Sequence, residues 1–124
     1  MSICIPVYKE IEFVDRAIRS CQSQTFDDYE IVITDDTPDD SMLRAVSKAA
    51  ENDNRIKYFR NLGHHGAAGN SNYAVEKSTG EWIKLLYQDD EFSGVNSLET
   101  FVRESSNSDV IFSACYNNGT ITQT

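Results

Sequence analysis

YEIVITDD, Tyr29–Asp36, is a short run rich in β-branched residues that ends in two adjacent acids. Flanked by polar residues, it reads as a β-strand, and the fold follows from what surrounds it. Upstream, SICIPVY (Ser2–Tyr8) has the same character. Between the two, Val14, Ala17, Ile18 and Cys21 fall at i, i+3, i+4 and i+7, one apolar stripe along a helix. Downstream, Ser41 is placed to cap a helix carrying Met42, Leu43, Val46 and Ala50. A third strand is expected at RIKYFR (Arg55–Arg60), and a third helix over Ala68–Ser78, stopped by Gly80. EWIKLLY (Glu81–Tyr87) reads as the fourth strand, Leu98, Phe101 and Val102 mark a fourth helix, and DVIFSACY (Asp109–Tyr116) reads as the fifth strand. This β-α-β-α order predicts an α/β fold, a Rossmann-like, mostly parallel, doubly wound sheet with helices on both faces.

The bulk properties narrow the function. At 124 residues the chain is one domain's worth. Twenty acids against 11 bases leave a net charge of −9, which argues against nucleic acid or an anionic membrane surface as a partner. The sequence carries no membrane span, and MSICIPVYKE lacks a basic segment followed by an apolar one, so a cytoplasmic protein is expected. Cys4, Cys21 and Cys115 all sit in apolar stretches without a C-x-x-C pair and read as buried, reduced thiols.

In open parallel sheets ligands bind beyond the carboxyl ends of the strands. There this chain places Pro6-Val7-Tyr8-Lys9-Glu10 after the first strand, Asp35-Asp36 after the second and Asp89-Asp90-Glu91 after the fourth. Three consecutive carboxylates repel one another unless a positive partner neutralises them, and a divalent cation with oxygen ligands is an economical one. An acidic loop facing water explains one cluster, but not why both acid groups fall at the same end of their strands. Asp90, with Asp89 beside it, could hold a metal that shares a diphosphate, and Tyr8 could stack on a base whose N–H donates to Asp36. The alternatives are half-buried packing for Tyr8, and for Asp36 a cap on the next helix or an Asx turn before Pro38.

SICIPVYKE, SCQSQTFDDYEIVITDDTPDDS and NLGHHGAAGNSNYAVEKSTGEWIKLLYQDD, in that order, resemble the N-terminal half of family-two glycosyltransferases, nucleotide-sugar-dependent inverting enzymes with a GT-A fold. The resemblance implies that 1–124 is a single donor-binding domain cut off before the acceptor-binding half, with the general base beyond Thr124. It implies a nucleotide-diphospho-sugar donor, a UDP-sugar in the first place, Mn2+ or Mg2+ as cofactor, and a glycan or lipid-linked acceptor in polysaccharide synthesis. The full-length enzyme would then work at the inner membrane face. Carried over by position, Pro6, Tyr8 and Glu10 belong to the nucleotide-binding loop, Asp36 to the base edge, Asp89 to the ribose, and Asp90 with Asp89 to the metal. Departures fall at Lys9, where the family usually has Asn, and at Tyr87-Gln88-Asp89-Asp90, where it usually has D-x-D-D. The family's A-R-N reads Asn70-Ser71-Asn72, without the arginine.

GHHGAAG (Gly63–Gly69) is neither a dinucleotide fingerprint nor a P-loop, and it follows the third strand. It reads equally as backbone near a diphosphate or as plain loop geometry. Adjacent His64 and His65 point apart on most backbones, which disfavours a shared metal. Trp82 reads as packing rather than as a sugar platform. A receiver-like signalling module would need acids after the first strand, Asp after the third and Lys after the fifth, and finds Tyr8-Lys9, Arg60-Asn61 and Tyr116-Asn117 there. A nucleotide-binding domain without catalysis remains the alternative to an enzyme.

Overall fold

The computed structural model describes residues 1–117 and 120–122. Its strands are β1 (Ser2–Val7), β2 (Glu30–Asp35), β3 (Ile56–Arg60) and β4 (Ile83–Leu85), and they form one parallel sheet in the order β3-β2-β1-β4. Between and after them lie α1 (Ile11–Gln22), α2 (Ser41–Ala50), α3 (Ala67–Lys77) and α4 (Ser97–Ser105).

The sheet is covered on both faces, as the alternation of strand and helix predicts. Side chains alternate along a strand. Ile3, Ile5 and Val7 of β1 and Ile31 and Ile33 of β2 therefore share one face. They pack there with Val14, Ala17, Ile18 and Cys21 of α1, Met42 and Val46 of α2, and Leu98 of α4. On the other face Cys4 and Val32 meet Ala74 of α3, with Phe59 packed against them. Every residue of β1 is buried because this strand is central and covered twice. Each fully buried Ile or Val contributes about 1.5–3 kcal/mol, so the two central strands dominate the core.

Pro6 sits inside a central strand, where proline is hard to place because it cannot donate to the ladder. Ser2 and Cys4 serve β4: the Ser2 N–H donates to Trp82 O at 2.7 Å, and Cys4 O accepts from the Leu86 N–H at 2.9 Å. Pro6 comes next in that series and has no N–H to give. The β1–β4 ladder accordingly ends at Cys4 opposite Leu85, whereas the β1–β2 ladder continues to Val7 opposite Asp35. The sheet splits at this point, and a cleft opens where the loops diverge.

Three expectations are corrected. The fifth strand over Asp109–Tyr116 is not a fifth member of the sheet. Only β5 (Cys115–Asn117) forms, paired antiparallel with β6 (Thr120–Thr122) in a separate two-stranded sheet. Val110 and Phe112 are exposed, so the apolar content of the segment reflects surface rather than core. Ser41 is the first residue of α2 rather than its cap; its N–H donates to Asp39 Oδ1 at 2.8 Å, so Asp39 satisfies the helix end. Cys4 and Cys21 are buried, and burial pushes the Cys21 thiol up to about 12, but Cys115 is exposed.

Candidate functional site

The cleft beyond the carboxyl ends of β1 and β2 has a volume of about 830 Å³ and is lined by Pro6, Tyr8, Asp36, Arg60, His65 and Tyr87, among others. Its floor is a buried polar network. Asp35 has no exposure; Oδ1 accepts the Thr37 N–H at 2.8 Å, an Asx turn, and Oδ2 accepts the Tyr58 hydroxyl at 2.5 Å. Burial, and then the Asp35 carboxylate, raise the Tyr58 phenol well above its ordinary value, which keeps it a donor. Asn70 Nδ2 donates to Val7 O at 3.2 Å and Thr34 O at 3.0 Å, tying α3 to the ends of two strands. Asn61 Nδ2 donates to Asn70 Oδ1 at 3.1 Å and to His64 O at 2.8 Å, while its Oδ1 accepts the His64 N–H at 2.8 Å. The glycine-rich segment is thereby held against the sheet. Gly69 permits this closeness, since a Cβ there would lie 2.5 Å from His64 O.

Asp36 neither caps α2 nor makes the Asx turn. Its carboxylate accepts the Gly66 N–H at 2.9 Å and pairs with the His65 ring, leaving the side chain 9% exposed at the cleft wall. His64 turns the other way and stacks on Tyr73. Arg60 is committed to Thr37 O, Asp39 O and the Asp40 carboxylate.

Opposite this wall, Tyr8 is half exposed at 52% and its ring lies under Lys9 Nζ at 5.0 Å. Lys9 and Glu10 both adopt left-handed backbone, φ 52° and 50°, and Glu10 stands at the N-cap position of α1, exposed. The structure thus brings Pro6, Tyr8 and Asp36 together around one cleft. Glu10, Asp89 and Asp90 lie outside its lining, in the loops that border it. The acid loop begins at Tyr87, which does line the cleft, and the Asp90 N–H donates to Tyr87 O at 2.9 Å, closing a turn.

Asp89 and Asp90 are exposed and enter no ion pair among the described residues, whereas Glu91 pairs with Arg16 at 3.0 Å. Partial burial, and then the charge of Asp89, raise the Asp90 carboxyl above its ordinary value, with Lys84 opposing. Among the described residues no group of three or more His, Cys, Asp or Glu side chains forms a metal cage. Two adjacent unpaired carboxylates suit a hard cation that keeps waters and shares ligand oxygens, a role for which one or two protein ligands suffice.

Asn61, Asn70 and Gln88 take structural roles here that their motif positions alone do not assign. Asn in an apolar context next to glycines, as in NLG and GAAGN, was the available signal for the first two.

The profile of glycosyl transferase family 2 matches residues 2–121. A Campylobacter jejuni GalNAc(5)-diNAcBac-PP-undecaprenol beta-1,3-glucosyltransferase is 35% identical over 92 residues, covering 73% of this chain and 30% of that protein. The Escherichia coli UDP-Glc:alpha-D-GlcNAc-diphosphoundecaprenol beta-1,3-glucosyltransferase WfgD is 32% identical over 90 residues, covering 73% of this chain and 35% of its own length. In fold the chain is similar to a Pyrobaculum calidifontis mannosyltransferase solved with GDP-Man and Mn2+, with a TM-score of 0.75 at 21% identity over 82% of this chain and 31% of that one. It is similar also to S. aureus TarS solved with UDP, with a TM-score of 0.71 at 20% identity over 82% of this chain and 30% of that one. The chain spans about a third of the length of these relatives. Among the described residues no helix is long and apolar enough to cross a membrane.

Proposed function

The chain belongs to glycosyl transferase family 2, and from that premise we propose that it forms the donor-binding region of a glycosyltransferase. The donor is a nucleotide-diphospho-sugar, a UDP-sugar by preference, and the acceptor is lipid-linked or a glycan, used with inversion in polysaccharide synthesis at the cytoplasmic face of the inner membrane. The observation that carries this reading is the cleft lined by both Tyr8 and Asp36, bordered by an acid pair that enters no ion pair among the described residues.

In this reading the Tyr8 ring supports the base, with Pro6 and Glu10 shaping its loop. Asp36, fixed by Gly66 and His65, still has acceptor capacity on its oxygens for a base N–H. Asp89 reaches the ribose. Asp90, with Asp89, would hold Mn2+ or Mg2+, which when bound supplies charge neutralisation to the diphosphate as a leaving group. No described acid is assigned as general base. Glu91 is tied to Arg16, Glu99 accepts the Thr25 hydroxyl at 3.1 Å and Glu104 lies beside Arg103.

Two outcomes test the reading. UDP should raise the melting temperature with Mn2+ and far less in chelator, because a diphosphate meets a chain of net charge −9; equal shifts in both would remove the metal from the reading. Asp36→Ala should weaken UDP binding by about 1–3 kcal/mol, as loss of a charge-assisted hydrogen bond does. Unchanged affinity by calorimetry would reduce Asp36 to a holder of the glycine-rich segment.

A further inference from the structure

After Pro6 ends the ladder to β4, the next β1-side donor in the series is the Tyr8 N–H. No strand is there to receive it. Gln88 receives it instead: the Tyr8 N–H donates to Gln88 Oε1 at 2.6 Å. The same amide donates from Nε2 to Lys9 O at 3.1 Å and Tyr8 O at 3.3 Å. A single side chain thus does what a backbone rung would do, bonding in both directions beyond the proline. From the other side, the Lys9 N–H donates to Thr37 Oγ1 at 2.8 Å. Bracketed between these two is the left-handed pair Lys9-Glu10, a conformation that is unfavourable for non-glycine residues and persists only where neighbours enforce it.

We infer that Gln88 is a positioning residue, which continues the β1–β4 ladder through its side chain and so fixes the Tyr8 backbone at the cleft and locks it to the acid loop. The inference rests on the donor-binding reading above and extends it. Gln88 immediately precedes Asp89 and Asp90, so any ligand that orders that loop also orders Tyr8 through one amide. The chemistry is specific to a carboxamide. Glutamate could accept from the Tyr8 N–H but would face two carbonyl oxygens without a donor, and methionine has the length but neither function.

The test compares the wild-type chain with Gln88→Met, Tyr8→Ala and the double variant, using UDP with MnCl2 in calorimetry and amide hydrogen exchange without ligand. Gln88→Met should speed exchange of the Tyr8 N–H at least tenfold, while β1 and β2 amides stay protected, and should weaken UDP binding roughly tenfold. In the double variant the losses should not add, because Gln88 acts through Tyr8. Unchanged Tyr8 exchange, unchanged affinity in Gln88→Met, or additive losses would each overturn the inference. Wild-type chain that binds no UDP would instead refute the donor reading, and Tyr8 exchange alone would then decide the clamp. Should Gln88→Met fail to fold, Gln88→Glu serves: a protected Tyr8 N–H with reduced UDP affinity supports the inference, and exchange at an unprotected rate overturns it.

Discussion

Asp35-Asp36 and Asp89-Asp90 are the same dipeptide toward the carboxyl ends of two strands of one sheet, and the fold treats them in opposite ways. The first pair is engaged: Asp35 is fully buried with Thr37 and Tyr58 as donors, and Asp36 holds Gly66 and His65. The second pair is exposed and enters no ion pair among the described residues, although the neighbouring Glu91 has one with Arg16. Identical chemistry therefore divides by environment, with Asp36 on the wall of the cleft, Asp35 buried behind it and the β4 pair facing solvent.

The sharpest way to break this contrast is Asp35→Ala. It strips the acceptor from the buried Thr37 N–H and the half-buried Tyr58 hydroxyl, and an unsatisfied buried donor costs about 1–3 kcal/mol. A destabilisation of about 3 kcal/mol in urea unfolding is expected. A loss below about 1 kcal/mol would mean that the floor network rearranges freely and that the contrast is overstated.

Acid titration sharpens the same contrast at an acid of the engaged kind. Asp53 accepts from Arg55 Nε at 2.9 Å and from Gln22 at 3.1 Å, and the Arg55 hydrogen bond holds its carboxyl down at about 2, against an ordinary 3.8. A folded-state value below the unfolded one stabilises the fold above the unfolded value, and that stability is lost as pH falls from 3.8 toward 2. Asp53→Asn should therefore cost about 1–2 kcal/mol at neutral pH and converge with the wild type near the acid end of that window. Parallel pH curves for the two proteins would deny the ion pair its role.

How much of this was legible beforehand differs by element. The helix α1 could be read because its apolar period was regular, and Val14, Ala17, Ile18 and Cys21 all proved buried on it, whereas α3 was marked by its stop at Gly80. The strand at Asp109–Tyr116 misled because short apolar runs look alike whether they face a core or solvent. At the site, residue identity pointed to the sheet's carboxyl edge, and Pro6, Tyr8 and Asp36 do line the cleft. Partnership was illegible: nothing in the sequence says that Asp36 would be claimed by His65 and Gly66, or that Gln88 would reach back to Tyr8. Those bonds join residues from 29 to 80 positions apart, a separation that only the folded topology closes.

The smallest expected effect lies at the unpartnered pair, and it has the opposite sign. Asp90→Asn removes a charge that Asp89 repels and that partial burial disfavours, and it removes no ion pair. In chelator at low salt it should leave the chain as stable as before, or more stable by a few tenths of a kcal/mol, about the range of exposed charge interactions. Because the repulsion acts between exposed groups, the gain should fade as ionic strength approaches about 1 M, where the screening length drops to about 3 Å. The same substitution should abolish the Mn2+-dependent part of the UDP-induced shift. A loss of stability comparable with that of Asp35→Ala would put Asp90 among the engaged acids and end the distinction between the two pairs; melting curves in chelator at two salt concentrations, beside UDP titrations with Mn2+, decide it.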